Sequence, residues 1–261
     1  MSLQRTLLAK ALIESARGDA LAAAKTLEAS WKLNQPLREM PDSLCQIIAL
    51  AIARLQIGAL RKLSVDCGVW RERLSEHDFK QSFLDTELLF AWPSPKNLHR
   101  LDEVESHSDS NWLRRLQSLL LQPYRNVVWL EFAGGLRLEY VGIKNSPLSD
   151  REIPERKVDS KSGSTAILLS IAIPNKLEMF RRVDRFVLDT ELTDKILQAR
   201  QRRLQNGWKW PAAIPGIEMT RFHEAKWIYS VSPEGTMSLS LSKEPKWNQG
   251  GLRLPVRFNS P

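Results

Sequence analysis

Three stretches of this chain hold the residue types that metal binding, phosphate binding or polyanion recognition require. The first is His99, Asp102, Glu103, Glu105, His107 and Asp109. Imidazole and carboxylate together suit zinc or manganese. The spacing contains no HExxH and no helical period that would turn these groups to one face, so a solvated acidic loop explains them better. The second is Lys161-Ser162-Gly163-Ser164-Thr165. Its lysine, glycine and hydroxyls are not in the GxxxxGK[ST] order that brings backbone amides and a lysine together on phosphates. The third is the richest. Arg200, Arg202 and Arg203 run into Trp208-Lys209-Trp210, setting guanidinium groups beside indole rings. That pairing neutralises phosphates and stacks on bases.

We take Arg200, Arg203, Trp208 and Trp210 as the candidate interaction surface. The plainer reading is that the arginines sit against the dipole of a helix end while the tryptophans staple the next turn to the core. No RNA- or DNA-binding motif accompanies them, so the plainer reading ranks first. Nucleophilic chemistry has less support. There is no GxSxG elbow, and neither Cys45 nor Cys67 has a neighbouring histidine in sequence to activate it. His77 and His223 are general-base candidates, although His77-Asp78 reads more simply as a helix start. The sequence therefore nominates no catalytic residue, no metal ligands and no cofactor, and it leans away from an enzyme.

The elements that would position these groups are mostly helical. At 261 residues, with 43% hydrophobic and 26% charged residues, the chain can bury a real core in one large domain or two modest ones. The expected class is mainly α, helical hairpins or a bundle, with a small C-terminal antiparallel hairpin or three-stranded sheet. Leu3, Leu7, Leu8, Leu12 and Ile13 predict a helix over 3–16; Gly18-Asp19 breaks it, and an Ala-rich helix over 20–33 follows, ended by Asn34-Gln35-Pro36. Asp42-Ser43 caps a third helix with a wide apolar face at Leu44, Ile47, Ile48, Ala51, Ile52, Leu55, Ala59 and Leu60, closed by Arg61 and Lys62. Residues 78–92 read as a further helix ended by Pro93-Ser94-Pro95, with Cys67 in a turn before it and Cys45 a small core residue. A disulfide between the two cysteines stays open at this point.

A polar loop over 99–111 precedes another helical pattern, and beyond Pro123 the chain is either helix through Val128, Leu130 and Leu138 or strand over 136–141. Residues 142–165, with two prolines, serines and mixed charge, read as a mobile linker between a helical region over 1–141 and a second region over 166–261 that may share its domain. After apolar 166–173, Pro174-Asn175 restarts a long amphipathic helix that Asn206-Gly207 stops. Trp227 to Val231 and Met237 to Leu241 alternate about Pro233-Glu234-Gly235, which is a hairpin, and 252–258 adds a third strand held to an edge by Pro255.

Gly18-Asp19, Ala23, Leu27, Leu33 and Asn34 resemble one tetratricopeptide repeat in its inter-helix turn, packing residues and exit turn. Ala11 and Glu14 depart from the repeat's usual glycine and tyrosine, and Pro36 comes one residue late. Ala172-Ile173-Pro174-Asn175, Gly207-Trp208-Lys209-Trp210-Pro211 and Trp227-Ile228-Tyr229 with Gly235 resemble bacterial cell-envelope proteins of uncharacterised function. These resemblances imply a protein-interaction or scaffold role and no active site. A formal charge of +8 leaves room for nucleic acid, anionic lipid or an acidic protein partner and names none of them; a protein partner ranks first and nucleic acid below it. No apolar run was expected to span a bilayer. Met1-Ser2-Leu3 leads straight into a helix, as a trimmed chain would; the compartment stays open, with the extracytoplasmic part of a longer anchored protein as one alternative. An enzyme whose site assembles from distant residues, or a weak nucleic-acid binder through 200–210, are the alternatives.

Overall fold

A computed structural model describes residues 2–63, 66–91, 164–222, 225–245, 248 and 254–258, together with scattered helical positions between 127 and 141. The acidic stretch over 99–109, His223 and all but the last two residues of the expected linker lie outside the described residues. Six helices and three strands are described: α1 Ser2–Ala16, α2 Ala20–Glu39, α3 Ser43–Leu60, α4 Cys67–Ser75, α5 Phe79–Ala91, α6 Ser164–Gln205, β1 Trp227–Val231, β2 Met237–Leu241 and β3 Val256–Phe258. The class is mainly α with a small antiparallel sheet, as the patterning implies. Two compact units are present. One joins Met1–Phe83, Pro147–Arg151 and Phe180–Pro261; the other holds Leu84–Ser146 and Glu152–Met179. Every described residue of the second unit is helical, including Arg137, Leu138 and Val141, where a strand was the alternative.

In the first unit α1 and α2 form the expected hairpin. Gly18 takes φ +86°, where a side chain would be strained, and the Asp19 carboxylate accepts from Ala22 N at 2.9 Å to start α2. α2 does not stop at Asn34-Gln35-Pro36: it runs through Pro36 to Glu39. Pro36 loses one donor, but tertiary bonds hold both of its flanks. Asn34 Nδ2 donates to Ala49 O at 3.1 Å, and Arg38 donates to Gln56 Oε1 at 3.2 Å. These belong to a buried clasp across three helices. Ser30 Oγ donates to Gln4 Oε1 at 2.5 Å, and Gln56 Nε2 donates to Ser30 O at 2.8 Å. The Arg38 guanidinium lies 3.8 Å from the Trp31 ring centre, and burial lowers its pKa to about 10, partly opposed by Glu76.

Asp42 caps α3 as expected, accepting from Cys45 N at 2.9 Å. The buried face is shifted from the expected one: Ala49, Leu50, Ala53 and Ile57 are inside with Ile52 and Leu60, while Leu44 is 64% exposed. Cys45 is half-buried and Cys67 buried, and both are free thiols. Cys67 is not in a turn but opens α4, a nine-residue helix that Asp66 caps: Asp66 Oδ1 accepts from Gly68 N and Val69 N. By length and composition α3 would pass for a membrane-crossing helix, with mean hydropathy 1.7. In the fold it packs on α1 and α2 and buries Gln46 and Gln56, which bond to neighbouring backbone.

α6 is one helix through Pro174, ten residues longer at its start than expected; a proline removes one hydrogen bond from a helix of 42 residues that keeps the others. It ends as predicted. Gly207 and Trp208 both take positive φ, and Trp208 N donates back to Arg203 O at 3.0 Å. The sheet order is β1-β2-β3, with Trp227 opposite Leu241 and Leu239 opposite Val256. Gly235 at φ +80° closes the loop between β1 and β2. Met237, Leu239 and Trp227 pack on Leu188, Leu192 and Ile196 of α6, so the hairpin covers the long helix.

Candidate functional site

The basic-aromatic turn divides into inner and outer members. Arg200 reaches from α6 to the chain just beyond α3, where its guanidinium donates to Leu63 O at 2.9 Å and also to Arg61 O. Its charge lies 5.3 Å from the Phe258 ring centre, and burial lowers its pKa. Trp210 is in the core, with the Arg203 guanidinium 4.6 Å from its ring centre. Arg203 Nε donates to Trp208 O at 2.8 Å, which fixes the turn. Of the four candidates only Trp208, at 67%, is broadly exposed. The structure therefore brings these residues together mainly as a staple.

A polar cleft of about 790 Å3 draws its walls from α4, the start of α5, the middle of α6 and residues 219–221. Its charged groups are largely engaged. Arg71 Nε donates to Asp194 Oδ1 at 2.6 Å, and Lys195 Nζ donates to Gly216 O at 3.2 Å. Glu191 accepts from Trp227 Nε1 at 2.6 Å and from Arg221 N at 3.2 Å. His77 lines the cleft beside Asp78, whose carboxylate accepts from Lys80 N and Gln81 N, so the pair does start a helix. Burial, helped by Arg38, lowers the His77 pKa and favours the neutral ring. No nucleophile–base hydrogen bond is present among the described residues of the cleft, and no cluster of metal-ligating side chains is found among the described residues.

The second concavity, about 600 Å3, is a groove with an apolar floor. Its floor is Leu8 and Leu12 of α1, Leu55 and Ala59 of α3, and Val256 and Phe258 of β3. α1 presents Arg5, Leu8, Ala9 and Leu12 at helical spacing, α3 presents Arg54 and Gly58 one turn apart, and Lys62 follows in the turn after α3. The rim holds Arg5, Arg54, Arg61, Lys62 and Arg257, and no acidic residue lines it among the described residues. Arg61 is paired with Asp189. Arg5, Arg54, Lys62 and Arg257 are exposed and form no ion pair with a described residue.

No family model, curated protein sequence or solved structure matches this chain.

Gly58 is the residue that sequence reading passed over. It lies inside α3, where glycine is less favourable than alanine by about 0.5–1 kcal/mol. A Cβ built there would meet nothing within 4 Å. No described residue explains the missing side chain, and the open space is groove. The available signal was an isolated glycine in a helical pattern with cations one turn away on either side. The contribution of β3 had no such signal.

Proposed function

We propose that this protein is a non-enzymatic interaction or scaffold protein whose N-terminal helical portion holds a partner protein. The single observation that carries this reading is the groove between α1, α3 and β3. It has an open apolar floor, a rim where Arg5, Arg54, Lys62 and Arg257 are exposed and form no ion pair with a described residue, and a helix glycine whose Cβ position meets no described atom. Grooves between packed helices accept peptide segments through periodic apolar contacts. The repeat-like character of the α1–α2 hairpin and the resemblance to bacterial cell-envelope proteins support the same role, with a cell-envelope location as part of the proposal.

A photo-crosslinking residue placed at Ala9, exposed beside the floor, tests the docking site in the full chain. Ala9 should give partner adducts that disappear in Gly58→Leu, while the same probe at exposed Leu21 of α2 should give none. Equal adducts at the two positions would end the proposal. A second reading, an enzyme with a site assembled from distant residues, draws on the polar cleft. Residues 68–79, 186–201 and 219–221 meet there, and the Thr190 hydroxyl is enclosed without a partner among the described residues. Turnover of a substrate that is lost in Thr190→Val would favour it.

A further inference from the structure

The docking reading leaves the occupant open, and the groove's chemistry narrows it. Resting on that reading, we infer that the groove takes an acidic amphipathic helix. Its apolar stripe would lie along Leu8, Leu12 and Leu55, with one side chain seated over Gly58 and its carboxylates against Arg5, Arg54, Lys62 and Arg257.

Three observations fix this choice over other anionic partners. First, the floor is aliphatic apart from Phe258, at the groove's β3 wall, whereas single-stranded nucleic acid needs a succession of aromatic platforms for its bases. Second, the apolar surface is recessed between two helices and a strand rather than protruding, while binding to a lipid surface needs an apolar face that can enter the headgroup layer. Third, Gly58 lets another backbone or side chain approach α3 closely at mid-groove, and no described residue lies within 4 Å of the place its Cβ would take. The rim then explains the sign of the partner. Four exposed cations at one concavity repel one another weakly through water and gain when carboxylates bring opposite charge. Arg61 does not take part, because Asp189 already neutralises it.

The test uses the full-length protein and synthetic fluorescent peptides of about 15 residues, long enough for helix on a surface. One peptide carries leucines at helical spacing with glutamates elsewhere. A second has the same composition in scrambled order, a third replaces glutamate by glutamine, and a fourth replaces it by lysine. Anisotropy should show the acidic amphipathic peptide binding at least about tenfold tighter than the scrambled and glutamine forms, and the lysine form not binding. The preference over glutamine should shrink as salt rises from roughly 50 to 500 mM. Gly58→Leu should remove binding by filling the groove. Arg54→Glu with Lys62→Glu should remove it by charge, and should bring the lysine peptide up, with thermal unfolding confirming that both variants fold. Equal binding of glutamate and glutamine peptides would overturn the acidic occupant and leave docking intact. Binding that survives both Gly58→Leu and the double reversal would overturn the groove itself. Failure of the acidic peptide alongside salt-sensitive binding of phosphatidylglycerol vesicles or oligothymidylate, lost in the double reversal, would assign the cations to lipid or nucleic acid instead.

Discussion

The turn over 200–210 and the groove between α1, α3 and β3 both gather cations around apolar side chains, yet their cations have opposite fates. Arg200 points inward and saturates backbone carbonyls at the end of α3, and Arg203 lies over Trp210. Arg5, Arg54, Lys62 and Arg257 stay in water with no described partner. The first arrangement is a stabilising device, because a charge taken out of water must find donors, acceptors or counter-ions inside the fold. The second costs the fold little and is free to be neutralised by something outside. A run of cations in sequence looks alike in both cases, so composition alone does not separate a staple from a binding surface.

That contrast breaks or sharpens most strongly at the staple. Trp210→Ala should cost about 3–5 kcal/mol in urea unfolding, because it empties core space between α6 and the sheet. A loss below about 1 kcal/mol would place Trp210 on a surface and return the turn to the list of binding sites.

Next comes the mirror case, Asp184, an enclosed carboxylate whose Oδ1 has no hydrogen bond from a described residue. Burial raises its pKa to about 6, with Lys80 opposing. Because the folded pKa lies above the unfolded one, the folded state holds the proton more tightly. Its stability from this group is complete below pH about 4 and is lost as pH rises through about 6. Asp184→Asn should therefore match the wild type near pH 4 and exceed it by up to about 3 kcal/mol above pH 6. A difference that does not change with pH would show that Asp184 is hydrated in the folded state.

Arg200→Ala should cost about 2 kcal/mol, since two carbonyls beyond α3 lose a charged donor, and it should leave peptide binding at the groove unchanged. If stability held while polyanion binding vanished, Arg200 would be a surface ligand and the comparison would fail. The groove should respond in the reverse sense. Gly58→Ala should raise stability by about 0.5–1 kcal/mol through helix propensity alone, in a thermal melt. Arg54→Glu with Lys62→Glu should move stability by no more than about 0.5 kcal/mol, as exposed substitutions do. A large destabilisation there would mean that the rim cations hold the fold together.

Local patterning made much of the architecture legible. The Asp19 and Asp42 caps, the Asn206-Gly207 stop and the alternation of β1 and β2 are written within a few residues of where they act. Their hydrogen bonds and steric limits are equally local. By contrast, α1 buries Gln4, Leu8 and Ala11 and leaves the expected Leu3 and Ile13 exposed. Tertiary structure decided the rest. α2 continues past Pro36 because Asn34 and Arg38 bond to Ala49 and Gln56 of α3, which no reading of 34–38 alone reveals. Arg200 became structural because Arg61 and Leu63 present carbonyls to it from far away in the chain. The groove exists only because β3 returns from the C-terminal end to wall the gap between α1 and α3, adding Val256 and Phe258 to Leu8 and Leu55. Spacing in sequence fixes which face of a helix is apolar. Which cations are buried, and which remain at an open rim, depends on what the rest of the chain packs against that face.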